Sequence, residues 1–444
     1  MEFIKKVNVK SIVFYSAIFL IFLVWNLLLV PVNLDEIWNY GFAHNIYNGL
    51  IPYKDFNMVL TPLFPFLMAL PFYIFGSSML VFHITNALIL TILIYVLEKM
   101  YGNKSLIFLM FLFLPLPVSF PSYNVFLFFL LVIVVYCEKN NVNDYVIGFI
   151  LALVCLTKQS VGVCMLLPSL LYIRDFKKIG KRFIGFLIPC FIFLFYLIFS
   201  NSIYEFFDLC LFGLFDFAAG NGKGFNIYWV LFILIIVVTL YFIKKDKKNI
   251  TNYYALAFYT VLIPLFDTYH FQVMLLGFLM ILVDKIKFIE KINLKLFTFG
   301  VIIGVSCISL FYRIDDGFIY PNKINHFEYR LLDKYGIEFT EEMSAFIEEN
   351  SDKNIIYLCS DGYYFKLVND IDITYLDLIN TGNWGYNGSK KLFDSVMNVE
   401  NAIYVVDESE LSEIKQTDKK ILKYVLKNGK KIKSIRIYDI YIIE

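Results

Sequence analysis

The chain has 444 residues, of which 59% are hydrophobic, 19% aromatic and only 17% charged, with a net charge of +1 and a mean hydropathy of +0.67. A soluble globular protein is about 45–50% apolar and about 25% charged, so this composition excludes a disordered chain and an ordinary cytosolic enzyme. The near-zero net charge offers no field for a polyanion, which excludes a nucleic-acid binder.

Charge is divided unevenly along the chain. Residues 313–444 hold 17 Lys/Arg and 23 Asp/Glu, while the first 312 residues share the remaining 37 charges. The reading is a polytopic α-helical membrane domain over 1–312 and a soluble domain over 313–444. Lysine outnumbers arginine 34 to 5. None of the seven cysteines forms a CxxC pair, so they read as small buried hydrophobes rather than as a zinc or disulfide framework.

About 20 apolar residues cross a bilayer as a helix. The first such run is Ser11–Val30, after Lys5, Lys6 and Lys10; no small-x-small cleavage site follows, so it is expected to be retained. Further spans are expected near 78–98, 105–120, 121–137, 145–157, 161–173, 183–200, 227–243, 252–266, 270–284 and 295–312, about 11 transmembrane helices in all. Val59–Phe75 is apolar but carries Pro62, Pro65 and Pro71. If it stays out of the bilayer, with the N-terminus inside, inner segments hold 19 Lys/Arg and outer ones only Lys54, Lys158 and Lys223. Positive charge stays on the cytoplasmic side, so this segment is expected as interfacial helices. The N-terminus is then cytoplasmic and the tail extracytoplasmic.

In that topology the outer loops cover about 31–77, the surroundings of Ser119–Asn124, the turn Thr157–Ser160, about 201–226 and Asp267–His270. The fourth contains Glu205, Asp208, Asp216 and the GNGKG stretch. The tail reads as α/β. Helices are expected over Ile324–Ile347, Leu392–Met397 and Leu411–Leu426. Strands are expected at Asn354–Cys359 and Ala402–Val406, with a last strand or hairpin over Ile432–Ile443.

Asp35 and Glu36 follow the first span directly, in LDEIWNYGFAHNI. On a helix, Asp35, Asn39 and Phe42 share one face and Glu36, Tyr40 and His44 another. Adjacent carboxylates near lipid are costly unless hydrated, paired or functional; the plain alternative is Asp35 as a helix N-cap. Lys158 sits in an apolar hairpin and suits an anionic phosphate, or else snorkels to the interface. Asp267 and His270 form a polar turn that binds a ligand or simply caps the next helix. The histidines His44, His83, His270 and His326 are scattered along the chain, and no metal site is assigned.

The run DE-x-WNY-x-x-x-x-NI-x-x-G-x-IPYKDF, followed by TPLFPFLMAL and FG, resembles the first outer loop of GT-C fold glycosyltransferases, the superfamily of protein O-mannosyltransferases and lipid A aminoarabinose transferases. The resemblance covers roughly residues 12–312. It implies a polyprenyl-phosphate sugar donor and a key acid matching Asp35, with Glu36 beside it. LTKQSVG, containing Lys158 and Gln159, resembles the superfamily's Thr-Lys segment, and Asp267-x-x-His270 resembles the polar motif near its lipid-phosphate site. One departure stands out: the second outer loop reads PSYNVF, with Tyr123 and Asn124 where many relatives have a carboxylate. TGNWGYNG (Thr381–Gly388) resembles a segment of unassigned role in some bacterial relatives.

The resemblance implies transfer of a sugar from the lipid phosphate to an acceptor hydroxyl, inverting the anomeric centre in a single displacement. Asp35 would be the base or acceptor-positioning group, and Lys158 and His270 would meet the phosphate. The acceptor is a glycan, lipid or protein in the cell envelope, the other partner is membrane lipid, and nucleic acid is excluded. No cofactor is assigned, and a divalent cation stays open. A flippase for polyprenyl-linked glycans explains the spans but not an acid-rich loop and a folded tail. A glycan polymerase works through loop arginines, and no outer loop before Arg313 has one.

Overall fold

The computed structural model describes every residue except 1–8, 31, 114–117, 173–174, 223, 284, 286–292, 316, 320–321, 331, 378–382, 409–418 and 444. Helix α1 runs over Val9–Leu29, its last turn wound as a π-helix, followed by α2 (Leu34–Tyr47), α3 (Leu63–Ala69) and α4 (Phe72–Phe75). Next come α5 (Met79–Tyr101), α6 (Ser105–Phe113), α7 (Tyr123–Lys139), α8 (Asp144–Cys155), α9 (Gln159–Tyr172) and α10 (Phe176–Phe199). They lead into α11 (Ile203–Phe207), α12 (Leu214–Asn221), α13 (Ile227–Lys245), α14 (Ile250–Phe258), α15 (Thr268–Leu282) and α16 (Leu294–Asp315). The tail holds β1 (Phe318–Ile319), β2 (Leu332–Asp333), α17 (Lys334–Glu349), β3 (Asn354–Leu358), α18 (Gly362–Val368), α19 (Gly388–Met397), β4 (Ala402–Val406), α20 (Lys419–Asn428), β5 (Lys430–Ile435) and β6 (Tyr438–Ile442).

Each segment expected to span carries a helix. Five described stretches are long and apolar enough to cross a bilayer: Val9–Leu29, Met79–Phe113, Phe176–Phe199, Ile227–Lys245 and Leu294–Ile314. Others are shorter, such as α8 with 12 residues and α15 with 15. The proline-rich stretch after α2 yields only α3, of seven residues, and α4, of four, separated at Leu70–Pro71. Pro71 has no N–H to continue the hydrogen-bond ladder of α3 and the helix breaks there, whereas α9 and α10 run on through Pro168 and Pro189.

The chain divides into two compact units. The first comprises 1–31, 80–189 and 225–316. Its interior carries one dense ionic knot. Arg182 donates to both oxygens of Glu138 at 2.6 and 2.8 Å, to Asp144 at 2.8 Å and to Ser169 Oγ at 2.8 Å, while Tyr254 donates to Glu138 at 2.7 Å. Such charges survive in an apolar bundle because they are mutually paired. Helices α8 and α10 cross on small residues. A Cβ on Gly148 would lie 1.9 Å from the Arg182 carbonyl oxygen, and one on Gly185 2.0 Å from that of Tyr145. Close backbone approach at small residues is how apolar helices associate in lipid. Gly148→Ala is therefore expected to destabilise the protein by about 1–3 kcal/mol through overpacking, read as a lower thermal midpoint in detergent. Gly180→Ala, with nothing within 4 Å of the new methyl, should leave the midpoint unchanged or raise it slightly, since alanine favours a helix over glycine.

The second unit comprises 32–79, 190–224 and 317–444. Its four-stranded sheet has the order β3-β4-β6-β5, with β3 parallel to β4 and the other pairs antiparallel. Strand alternation sends Ile403 and Val405 to one face, with Phe339, Met343, Phe346 and Phe365 of α17 and α18. Tyr404 and Val406 go to the other, with Leu392, Val396, Ile421, Leu422 and Val425 of α19 and α20. The expected strands and the C-terminal hairpin are present. The helix expected over Ile324–Ile347 begins instead at Lys334. Asn322 Nδ2 donates to the carbonyls of Phe327 and Arg330 at 3.0 and 2.6 Å, turning the chain, and Asp333 caps α17 by accepting from Gly336 N at 2.9 Å. Of the helix expected over Leu411–Leu426, residues 411–418 lie outside the described ones.

Candidate functional site

In the first unit, polar side chains meet where α7, α9 and α15 begin. Ser122 caps α7 by accepting from Asn124 N at 3.1 Å, and the same hydroxyl accepts from Tyr269 OH at 2.5 Å, tying the start of α7 to that of α15. Asp267 caps α15 through His270 N at 2.9 Å. The capping alternative thus describes the Asp267 backbone contact, but the carboxylate also lies 2.9 and 3.1 Å from His270 Nδ1.

Lys158 occupies the tight turn between α8 and α9. A Cβ at Gly162 would stand 2.4 Å from Cys155 Cα, so only glycine lets α9 begin this close to the end of α8. Lys158 is 7% exposed; its Nζ donates to Val261 O at 3.2 Å and Asn124 Oδ1 at 3.5 Å and stands 5.7 Å above the Tyr123 ring. A snorkelling lysine keeps its ammonium in water, and this one is turned inward. Asn124 Nδ2 lies 3.2 Å from His270 Nε2. An ammonium only donates, so the Asn124 oxygen faces Lys158 and its NH₂ faces the ring. Nε2 then accepts, and Nδ1–H points to Asp267. Asp267, His270, Asn124 and Lys158 form one hydrogen-bonded chain with Tyr123 against its end, and half-buried Gln159 opens α9 beside it. Six residues singled out in the sequence lie here. Such a chain can present positive charge to an anion and hold an imidazole in one tautomer.

In the second unit, α2 carries Asp35 and Glu36 in its first turn, where the helix dipole favours anions. The N-cap is Asn33, whose side chain accepts from Glu36 N at 2.9 Å, so the plain alternative, Asp35 as the N-cap, does not hold. Asp35 is half-buried, and its backbone carbonyl accepts from Asn39 Nδ2 at 2.6 Å. Glu36 is fully buried and pairs with Arg330 Nη2 at 3.1 Å, with Arg330 fully buried too. Burial pulls the Arg330 guanidinium below its ordinary value, and the Glu36 charge opposes that. The adjacent acids thus have different surroundings: one is committed to a buried ion pair, and the other is partly open. Arg330 was not singled out in the sequence; the signal was its residue type, as one of five arginines among 34 lysines.

Of the acids between α10 and α13, Asp208 accepts from Lys391 Nζ at 2.7 Å and Tyr386 N at 3.3 Å, and Asp216 from Asn387 N at 3.0 Å. They hold the described part of the TGNWGYNG stretch; Thr381 and Gly382 lie outside the described residues.

The fold is of the GT-C type, as the first-loop resemblance led us to expect. The solved structure of ArnT from Cupriavidus metallidurans bound to undecaprenyl phosphate is similar over 97% of this chain and 98% of that one, with a TM-score of 0.56 at 11% identity. Its apo state is similar over 97% of each chain, with a TM-score of 0.57 at 10% identity. At such identities the shared property is the fold. With its apolar helices, that fold makes the chain a membrane protein. No protein-family model and no curated protein matches the sequence.

Proposed function

We propose that the protein is a membrane glycosyltransferase that moves a sugar from a polyprenyl-phosphate carrier to an acceptor hydroxyl on the outer face of the cell membrane, in surface-glycan or cell-envelope assembly. The observation that carries this reading is the likeness, over nearly the whole of both chains, to a protein solved with undecaprenyl phosphate. In this reading, residues 1–312 form the membrane domain with about eleven spans. The stretch 59–75 lies along the outer interface, and 313–444 is extracytoplasmic, as the 19-to-3 distribution of basic residues favours.

Asp35 takes the proton of the acceptor hydroxyl. The acceptor oxygen bonds to the anomeric carbon as the bond from that carbon to the phosphate oxygen breaks, and the lipid phosphate leaves with the electron pair. One displacement of this kind inverts the centre. Lys158 and the Asn124–His270–Asp267 chain behind it meet the negative charge growing on the phosphate. Lys158→Ala is expected to weaken donor binding at least about tenfold, the loss of one charge-assisted hydrogen bond. Lys158→Arg should recover part of it, since the charge stays while the donor geometry changes. Titrating undecaprenyl phosphate into purified variants and following the thermal midpoint checks this. Equal affinities for wild type and Lys158→Ala would remove the lysine from phosphate recognition. The function itself is tested by following sugar loss from polyprenyl-phosphate sugars with the purified enzyme.

A further inference from the structure

Ser77, between α4 and α5, receives two imidazoles. His44 of α2 has Nδ1 2.8 Å from Ser77 Oγ, and His326, between β1 and β2, has Nδ1 2.9 Å from the Ser77 carbonyl oxygen. A carbonyl only accepts, so Nδ1 of His326 carries the proton, and Nε2 lies 2.6 Å from Asp370 Oδ1. An unprotonated ring nitrogen cannot rest that close to a carboxylate oxygen without a cation, whether a proton or a metal, to serve both lone pairs. Asp370, just past α18, is steadied by Asn325 Nδ2 at 2.7 Å. The rings of His44 and His326 are 5.0 Å apart, and His44, His326 and Asp370 each bring one ligand atom to within 4.8 Å of the others.

We propose that His44, His326 and Asp370 form a binding site for a divalent transition-metal ion, zinc by its ligand chemistry, with water completing a four-coordinate shell. Two imidazoles and a carboxylate suit this class of metal. Both rings already have Nδ1 engaged by Ser77, the outer-shell arrangement that fixes a ligand's tautomer and direction. Ligands about 2.1 Å from zinc in a tetrahedron stand about 3.4 Å apart, so the 2.6 Å His326–Asp370 pair must open to admit the ion while His44 draws in, and exposed Asp370 is the side chain placed to move. Asn48 Nδ2 donates to His44 Nε2 at 3.1 Å, but also to Asp372 at 3.0 Å, so it has another acceptor when it gives up the ring. The ion would tie α2, the β1–β2 segment and the end of α18 together within the second unit. The proposal does not depend on the glycosyltransferase reading.

The test uses the full-length protein in detergent, stripped with chelator and titrated with zinc chloride alone. Wild type should bind one zinc per chain by elemental analysis, with a raised thermal midpoint, and cobalt in its place should give a tetrahedral visible spectrum. Asp370→Asn and His326→Ala should each lose at least about tenfold in zinc affinity, the low end of what even outer-shell losses cost. Asn48→Ala, which removes a competing donor, should bind at least as tightly as wild type. Substoichiometric zinc in wild type, or unchanged affinity in Asp370→Asn, would overturn the site. Asp370 is exposed, so that variant decides the matter even if His326→Ala fails to fold.

Discussion

Asp35→Asn is expected to lower sugar transfer about 10²–10⁴-fold, the usual loss when a general base is removed, with folding and donor binding near normal. An amide keeps the size and much of the hydrogen bonding of the carboxylate but cannot take a proton. The helix start should not suffer, because Asn33 supplies the N-cap and the Asn39 side chain bonds to the Asp35 backbone carbonyl, which the substitution leaves in place. Initial transfer rates, with thermal midpoint and undecaprenyl-phosphate binding measured in parallel, check this. Transfer at the wild-type rate would remove Asp35 from the chemistry.

Arg330→Met should have the largest effect on stability. It takes the guanidinium away from the fully buried Glu36 carboxylate, and removing one partner of a buried pair costs about 3–5 kcal/mol. Replacing both charges tells a different story: an apolar pair of similar volume is often neutral or better. Glu36→Leu combined with Arg330→Met should therefore recover most of the loss. Additive losses in the double variant, followed by denaturant or thermal unfolding, would show that the two side chains do not act as a pair. By the same reasoning Glu36→Gln should also lower stability, since it removes one charge of a buried ion pair.

Much of this was legible because it is local. Apolar runs place α1, α13 and α16 directly, since each must satisfy its own backbone and expose apolar side chains. Asp267 and His270 meet across one helical turn, and the unbroken apolar run AIYVV marks a strand buried on both faces. Tertiary contacts hid the rest. Ile324–Arg330 has helix-compatible residues, yet Asn322 folds it into turns that deliver Arg330 to Glu36, a partner 294 positions away. No periodicity encodes that pairing, nor the approach of His44 to His326. Residue choice carried a trace of it. In a chain that favours lysine so strongly, Arg182, Arg330 and Arg436 each pair with carboxylates, Arg182 and Arg436 through more than one guanidinium nitrogen, a geometry that lysine's single ammonium cannot reproduce.

The most direct test of the proposed transferase activity is to incubate the purified protein with polyprenyl-phosphate sugars extracted from its host's membranes and follow the lipids by mass spectrometry. The expected result is loss of at least one lipid-linked sugar, with matching release of free polyprenyl phosphate, and no such loss with Asp35→Asn. A folded wild-type protein that leaves every lipid-linked sugar intact, or merely moves it across a vesicle membrane unchanged, would contradict a glycosyltransferase and favour a transporter.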